Sequence, residues 1–464
     1  MSMPQPQSMA GDPEHTNAEV EKKIWTLLDE PDKQFVSLGV PEFMALGEGF
    51  DIPDGGASIT ELAMAAPGGA FDPRDLEKIA PEKLGYEAEW VVERYKHYNM
   101  DWDITALKLT SLNPTAEKYP WFVIINGGAA NWYEFYVDLK NRPGWAPYLA
   151  QKINVMIVSI PGNFKYGGWP QPIMDETRQP QYLLDKELPM PEIHLRNALL
   201  NNQVVMHGLE QLLMDNTSGD ILISGHSTSG ELAMLAYQDP ELSARLKGRY
   251  FGWGSGGTAR LALTQPFLQP EPAEPGTTTA ETRRPLEQLS RRDVRAYSRG
   301  YSWFMNPLYE PGMSLADIAG VWLESEARRR PQFKQQIQDI EHGSGYGEKG
   351  YVELEIKRLL EASGNPWNVD IEEVQGELMS TYFTRITGFE KMVWTVAHMD
   401  RNHWVPEDPL KSEEVYVANQ FRAANPEAPI RVIVWDPQMT HYGHLELPRE
   451  KAAADYSVIR WLVQ

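Results

Sequence analysis

The residues best placed to do chemistry stand at 220–230, Asp-Ile-Leu-Ile-Ser-Gly-His-Ser-Thr-Ser-Gly. Ile221 to Ile223 reads as an apolar strand, and Glu231 to Tyr237 reads as a helix that follows at once. Between them Gly225-His226-Ser227-Thr228-Ser229-Gly230 forms a tight turn with Ser227 at its apex. A turn of this kind holds a serine hydroxyl clear of the backbone, the setting of the nucleophile elbow. Small residues two before and two after the serine let strand and helix pass closely. Gly225 and Ser229 fill those places, Ser229 where glycine is usual, with Gly230 one step late. Ser255 is a second serine among glycines, in Phe251-Gly252-Trp253-Gly254-Ser255-Gly256-Gly257. Trp253 stands two before it, where a small residue is required, so Ser227 is the expected nucleophile.

A serine nucleophile needs a base, and the base needs an orienting acid. The strand-like run Lys391 to Ala397 leads into His398-Met399-Asp400-Arg401-Asn402-His403-Trp404-Val405-Pro406. A second buried run, Ile430 to Trp435, leads into Met439-Thr440-His441-Tyr442-Gly443-His444-Leu445-Glu446-Leu447-Pro448 and a closing helix through Ala452, Ile459 and Leu462. His441 and His444 are the candidate bases and Asp400 the candidate acid. Asp436 is the runner-up acid, but it shares the histidine's own loop and has little chain in which to reach around the ring. Upstream, the β-branched run Trp121 to Ile125 ends in Asn126-Gly127-Gly128-Ala129-Ala130-Asn131-Trp132. Glycines there allow backbone N–H groups to converge on a developing alkoxide. The histidines at 398, 403, 441 and 444 lack His-Glu-x-x-His spacing and the chain has no cysteine, so no metal site is expected.

These loops must be carried by a sheet. Residues 88–95 and 103–110 alternate as opening strands, and apolar runs at 121–125, 153–160, 220–224, 249–253, 391–397 and 430–435 complete an eight-strand reading. Long helical intervals between the later strands imply right-handed crossovers and a mostly parallel sheet. Residues 1–17 are polar and Pro-containing and read as disordered, Ala18 to Asp29 as an amphipathic helix, and the stretch to about 85 as an extension with helical pieces such as Ile59 to Ala65. Two intervals are longer than a plain connection: 162–188, and above all 262–388, which opens with the Pro-rich stretch Pro270 to Pro285. The resulting division is 1–85 extension, 86–261 first part of the core, 262–388 a helical insertion and 389–464 the remainder of the core.

A net charge of −22 argues against nucleic-acid and anionic-membrane partners, because phosphate binding needs clustered Lys and Arg. No apolar run approaches the roughly 18 residues of a membrane span, and the N-terminus lacks the basic-then-apolar pattern of a secretory signal. The absence of cysteine excludes thiol catalysis and suits a cytoplasmic protein. The expected partner is a small-molecule substrate, with assembly into a homo-oligomer left open.

Taken in order, these elements resemble the α/β-hydrolase superfamily, capped branch, over about residues 86–464. The resemblance implies an α/β fold: a mostly parallel eight-stranded sheet flanked by helices, with 262–388 as a cap inserted between strands 6 and 7. In that family the catalytic histidine lies five residues before a Glu-x-Pro that starts the last helix. Glu446 and Pro448 place this role on His441, with His444 the rival because Gly443-His444 mimics a common Gly-His pair. An aspartate following the penultimate strand, with Val405-Pro406 shortly after, places the acid on Asp400. The oxyanion hole falls to the amides of Gly128 (or Ala129) and Thr228, with Asn126 replacing the histidine usual at that strand end. The implied reaction is acyl transfer to water without a cofactor. Trp132, Trp169 and Trp404, on loops near the carboxyl edge of the sheet, are the expected substrate contacts, and point to a mid-sized, partly apolar or aromatic ester or lactone. The same fold and triad also serve C–C bond hydrolases and amidases, and the fold occurs in binding proteins without turnover.

Overall fold

A computed structural model describes residues 17–31, 33, 35–52, 55–66, 71–126, 132–159, 161, 199, 202–226, 229–253, 360–374, 388–398, 415, 418–419, 421–422, 425–436, 439 and 443–464. Nine strands lie among them: β1 Phe35–Gly39, β2 Tyr86–His97, β3 Met100–Ser111, β4 Trp121–Ile125, β5 Val155–Ser159, β6 Ile221–Gly225, β7 Arg249–Trp253, β8 Lys391–Ala397 and β9 Ile430–Asp436. The helices used below are α1 Ala18–Asp29, α2 Val40–Leu46, α3 Gly55–Ala65, α4 Trp132–Tyr136, α5 Trp145–Leu149, α6 Asn202–Asn216, α7 Gly230–Leu235, α8 Pro240–Leu246, α9 Gly443–Glu446 and α10 Pro448–Val463.

The strands pair in the orders β2-β3-β5-β4-β6 and β7-β8-β9-β1, and a parallel bridge between His226 and Trp253 joins the two sets. β2 and β3 form an antiparallel hairpin, β3 runs antiparallel to β5, and the pairings from β5 through to β1 are parallel. β4, β5 and β6 are buried along their whole length, as parallel strands covered on both faces must be. One face carries α1, α2, α3, α5 and α10, whose Ile24, Phe43, Ile59, Trp145 and Tyr456 share a core with Phe122 and Phe251. The other carries α6, α7 and α8, through Leu209, Leu232 and Leu242 against Val123 and Ile223.

The segment read as an extension is built into this core. β1 lies parallel to β9 in the register Phe35↔Val432 to Gly39↔Asp436. α1 starts on the side-chain cap of Asn17 and is fastened to α10, with Trp25 Nε1–H donating to Ser457 O at 3.0 Å and Trp461 Nε1–H to Asp29 Oδ1 at 2.9 Å. Its carbonyl end is capped by the buried Arg431 guanidinium, which donates to Leu28 O at 2.7 Å and Glu30 O at 3.0 Å. β1 escaped the sequence because only Val36 and Leu38 of its five residues are buried, too few to set a period.

Of the long interval 262–388, residues 360–374 and 388 are described. Leu360, Val369 and Val374 join the core on the α6 face, and Asn368 O accepts from Asn99 Nδ2–H at 3.2 Å at the tip of the β2–β3 hairpin. That tip projects past the carboxyl end of β5, since Thr105 is in register with Ser159 and the tip lies earlier in β3. Residues 1–16 and 162–188 lie outside the described residues.

Candidate active site

β6 delivers the chain into a turn whose tightness is set by one missing carbon. A Cβ built on Gly225 would stand 2.0 Å from Ser229 O, a backbone atom with nowhere to go. Only glycine permits that approach. The turn is closed by Ser229 N–H donating to His226 O at 3.1 Å, and His226 N–H donates in turn to Ile125 O at 3.0 Å, holding the turn to the end of β4. Ser229, the departure from glycine, is buried and its hydroxyl donates to the carbonyl of Asn126. The extra oxygen has a partner, and it ties the start of α7 to the strand end that opens the Gly-Gly segment. Ser227 and Thr228 occupy this turn in sequence but lie outside the described residues.

On the β4 side, Asn126 is buried and its N–H donates to Val158 O at 3.1 Å. Gly128, Ala129 and their neighbours at 127–131 lie outside the described residues. α4 begins at Trp132, whose N–H donates to Ser159 Oγ at 3.2 Å, so the helix starts against the end of β5. The Trp132 side chain is not on an open loop. It is 3% exposed and packed against Phe71 at 5.4 Å, Trp90 at 6.0 Å and Tyr133 at 5.4 Å. An aromatic helix of Trp-Tyr-Glu-Phe-Tyr buries its rings because they carry the largest apolar area nearby.

Within that helix one residue is charged, and it is the feature that sequence reasoning missed. Glu134 is buried, with Oε1 2.9 Å from His444 Nε2 and 3.7 Å from His226 Nδ1. Phe135 stacks on His444 at 5.0 Å and 22°, and Trp253 lies against both imidazoles at 5.2 and 5.6 Å. Burial holds the Glu134 carboxyl well above the usual carboxylate range. Beyond Trp253, Lys451 sits over the indole at 4.2 Å and pairs with buried Asp455, which also accepts from Trp145 Nε1–H at 2.9 Å. The Glu134, His226 and His444 donor atoms all lie within 4.8 Å of one another, a set of the type that can hold a divalent ion, different from the histidine set considered from sequence. The signal for Glu134 was a lone carboxylate inside an aromatic run. Its partners lie far along the chain, 310 residues away for His444.

His444 is fully buried with Nε2 on a carboxylate, whereas His441 lies outside the described residues, as do Asp400, Trp169 and Trp404. The strand ends that lead to them are described. β8 ends with His398 N–H donating to Trp435 O at 3.0 Å, and β9 ends at Asp436. Ile125 pairs with Gly225 and Ala397 with Trp435 in these parallel strands, so the loops after β4, β6, β8 and β9 all leave from the carboxyl edge of the sheet. Ser255 lies outside the described residues, and Trp253 two before it is a core residue. Among the described residues no helix is long and apolar enough to cross a membrane.

No family model and no curated protein matches the chain. Solved structures do. A bacterial heroin esterase is 13% identical, the match covering 96% of this chain and 98% of that one with a TM-score of 0.34. Esterase E22 is 10% identical, covering 82% of this chain and 100% of that one, TM-score 0.38. The alpha/beta hydrolase domain-containing protein 10 from mouse is 9% identical, covering 80% and 98%, TM-score 0.37. At overlaps this low the fold is read from the strand order itself. An antiparallel opening hairpin, a parallel remainder and a helix that follows β6 after a tight turn are the α/β-hydrolase architecture.

Proposed function

We propose that the chain is a serine hydrolase of the α/β-hydrolase fold, acting on a mid-sized, partly apolar or aromatic ester or lactone. The observation that carries the reading is the elbow: Gly225 and Ser229 in backbone contact, with Ser227 between them in sequence and the end of β4 fastened alongside. In this reading Ser227 attacks the carbonyl carbon while His441 takes its proton. Asp400 orients the imidazole and stabilises the imidazolium. The amides of Gly128 and Thr228 receive the oxyanion as the tetrahedral intermediate forms. The carbonyl then re-forms, the leaving group departs with the proton from His441, and an acyl group remains on Ser227. Water attacks that ester and gives its proton to the same histidine, which returns it to Ser227 Oγ as the second tetrahedral intermediate collapses and the acid leaves.

The order of these residues supports the reading, since their loops follow strands that end on one edge of the sheet. Residues 262–388 are proposed to cap that edge. Their described portion returns to the core beside the β2–β3 hairpin tip, which projects beyond the same edge. A lid there would set substrate size and exclude water from the acyl-enzyme. The test is hydrolysis of a panel of aryl esters, lactones, amides and β-diketones by the wild-type chain beside Ser227→Ala. Ester or lactone turnover that Ser227→Ala abolishes supports the proposal, and diketone cleavage alone would move it to C–C bond hydrolysis.

A further inference from the structure

Three segments on which the proposed reaction depends meet inside the protein at one carboxylate. Glu134 belongs to α4, the helix that follows the Gly-Gly segment. His226 directly precedes Ser227, and His444 follows His441 by three residues, in α9. The three side chains are each at most 2% exposed; Glu134 Oε1 is hydrogen-bonded to His444 Nε2 at 2.9 Å and lies 3.7 Å from His226 Nδ1, an ion-pair separation rather than a hydrogen bond. Phe135 and Trp253 wall the group in, so the rings have no room to drift independently. A carboxylate, unlike an apolar side chain, sets a distance as well as a contact, because a hydrogen bond weakens steeply as it lengthens or bends. One proton shared between Glu134 Oε1 and His444 Nε2 leaves that buried pair net neutral, which is how such a group survives desolvation.

We propose that Glu134 is a positioning residue that fixes the spacing between the turn at Ser227 and the histidine loop by hydrogen-bonding His444 and holding it beside His226. The inference rests on the serine hydrolase reading, but it names a residue outside the proposed triad and oxyanion hole. The gap between nucleophile and base is the dimension to which such a reaction is most sensitive: a displacement of about 1 Å costs on the order of 10²-fold in rate. Glu134 does not touch the reacting atoms in this account. It acts through the two segments it joins.

The experiment compares full-length wild type, Glu134→Gln and Glu134→Leu. Glutamine keeps an oxygen for the His444 hydrogen bond and the His226 contact, and leucine keeps the volume without one. With an aryl ester, kcat should fall on the order of 10²-fold in Glu134→Leu while KM stays within a few-fold, and Glu134→Gln should stay within about tenfold of wild type. Hydrogen exchange should accelerate together in the peptides 221–235 and 439–450 in Glu134→Leu, and in neither for Glu134→Gln. Should Glu134→Leu fail to fold, Glu134→Met, which also keeps bulk without an oxygen, takes its place with the same expectations. Wild-type kcat in a folded Glu134→Leu, or acceleration in one peptide only, would overturn the proposal. So would one equivalent of zinc retained by wild type and lost from Glu134→Leu, which would make the cluster a metal site. If the wild type turns over no ester and takes no fluorophosphonate, the hydrolase reading fails. Exchange then decides the tie alone, with coupled acceleration sustaining it and uncoupled acceleration ending it.

Discussion

A side-chain carbon on Gly225 would overlap the carbonyl oxygen of Ser229 at 2.0 Å. Both flanks of this turn are fixed, one by pairing with β4 and the other by the Ser229–Asn126 hydrogen bond, so the contact cannot relax by moving one of them. Gly225→Ala should therefore destabilise the chain by about 2–3 kcal/mol, at the upper end of overpacking costs. Reaction with a fluorophosphonate should be lost more steeply than stability. Denaturant titration and labelling rate measured side by side check this. A stable, reactive Gly225→Ala would show that the turn has more slack than its geometry allows.

Arg431 offers a test of how far the first 85 residues belong to the core. Its guanidinium closes the carbonyl end of α1 from a position on β9. Arg431→Met keeps the aliphatic bulk and removes both bonds to α1 together with a third to Ile430 O, and should cost about 2–3 kcal/mol, within the range for hydrogen bonds to charged groups. Proteolysis of the native protein should then begin within α1. Unchanged stability would mean that α1 is held by its contacts with α10 alone.

The Glu134 carboxyl gives stability a pH dependence of definite sign. Its value in the folded protein is raised above the ordinary 4.5 by burial. Its contribution is therefore complete below about pH 4.5 and is lost as pH rises through the folded value, because the folded state then releases a proton that it binds more tightly than the unfolded chain. Glu134→Gln lacks this titration while keeping both histidines. The stability of wild type relative to Glu134→Gln should decline from pH 5 toward pH 9 in denaturant titrations. A difference that stays flat, or that grows in favour of wild type, would mean the carboxyl is ionised in the core and compensated by an imidazolium throughout.

Much of this was legible in the chain because the signals are local. Eight strands announced themselves as buried apolar or alternating runs, and α1 by the spacing of Ile24 and Leu28. The turn after β6 is a short motif, and the crowding of Gly225 against Ser229 is the steric reason for its small residues. What was not legible depended on distant partners. β1 is recognisable as a strand only because β9 is there to receive it, nearly 400 residues later. Trp132 looked like a loop residue facing substrate because nothing local reveals that Phe71 and Trp90 enclose it. That His444 is buried with Glu134 on its ring nitrogen could not be read from its Gly-His context. Burial of a polar group is decided by the fold as a whole, and no window of sequence contains it.

The central claim is that Ser227 is the nucleophile, and mass-spectrometric mapping of a fluorophosphonate adduct tests it most directly. The predicted result is one equivalent of adduct on the peptide spanning 220–237, localised to Ser227 and absent from Ser227→Ala at unchanged fold. Adduct on Ser229 or Ser255, or no adduct on a folded, full-length chain, would contradict it.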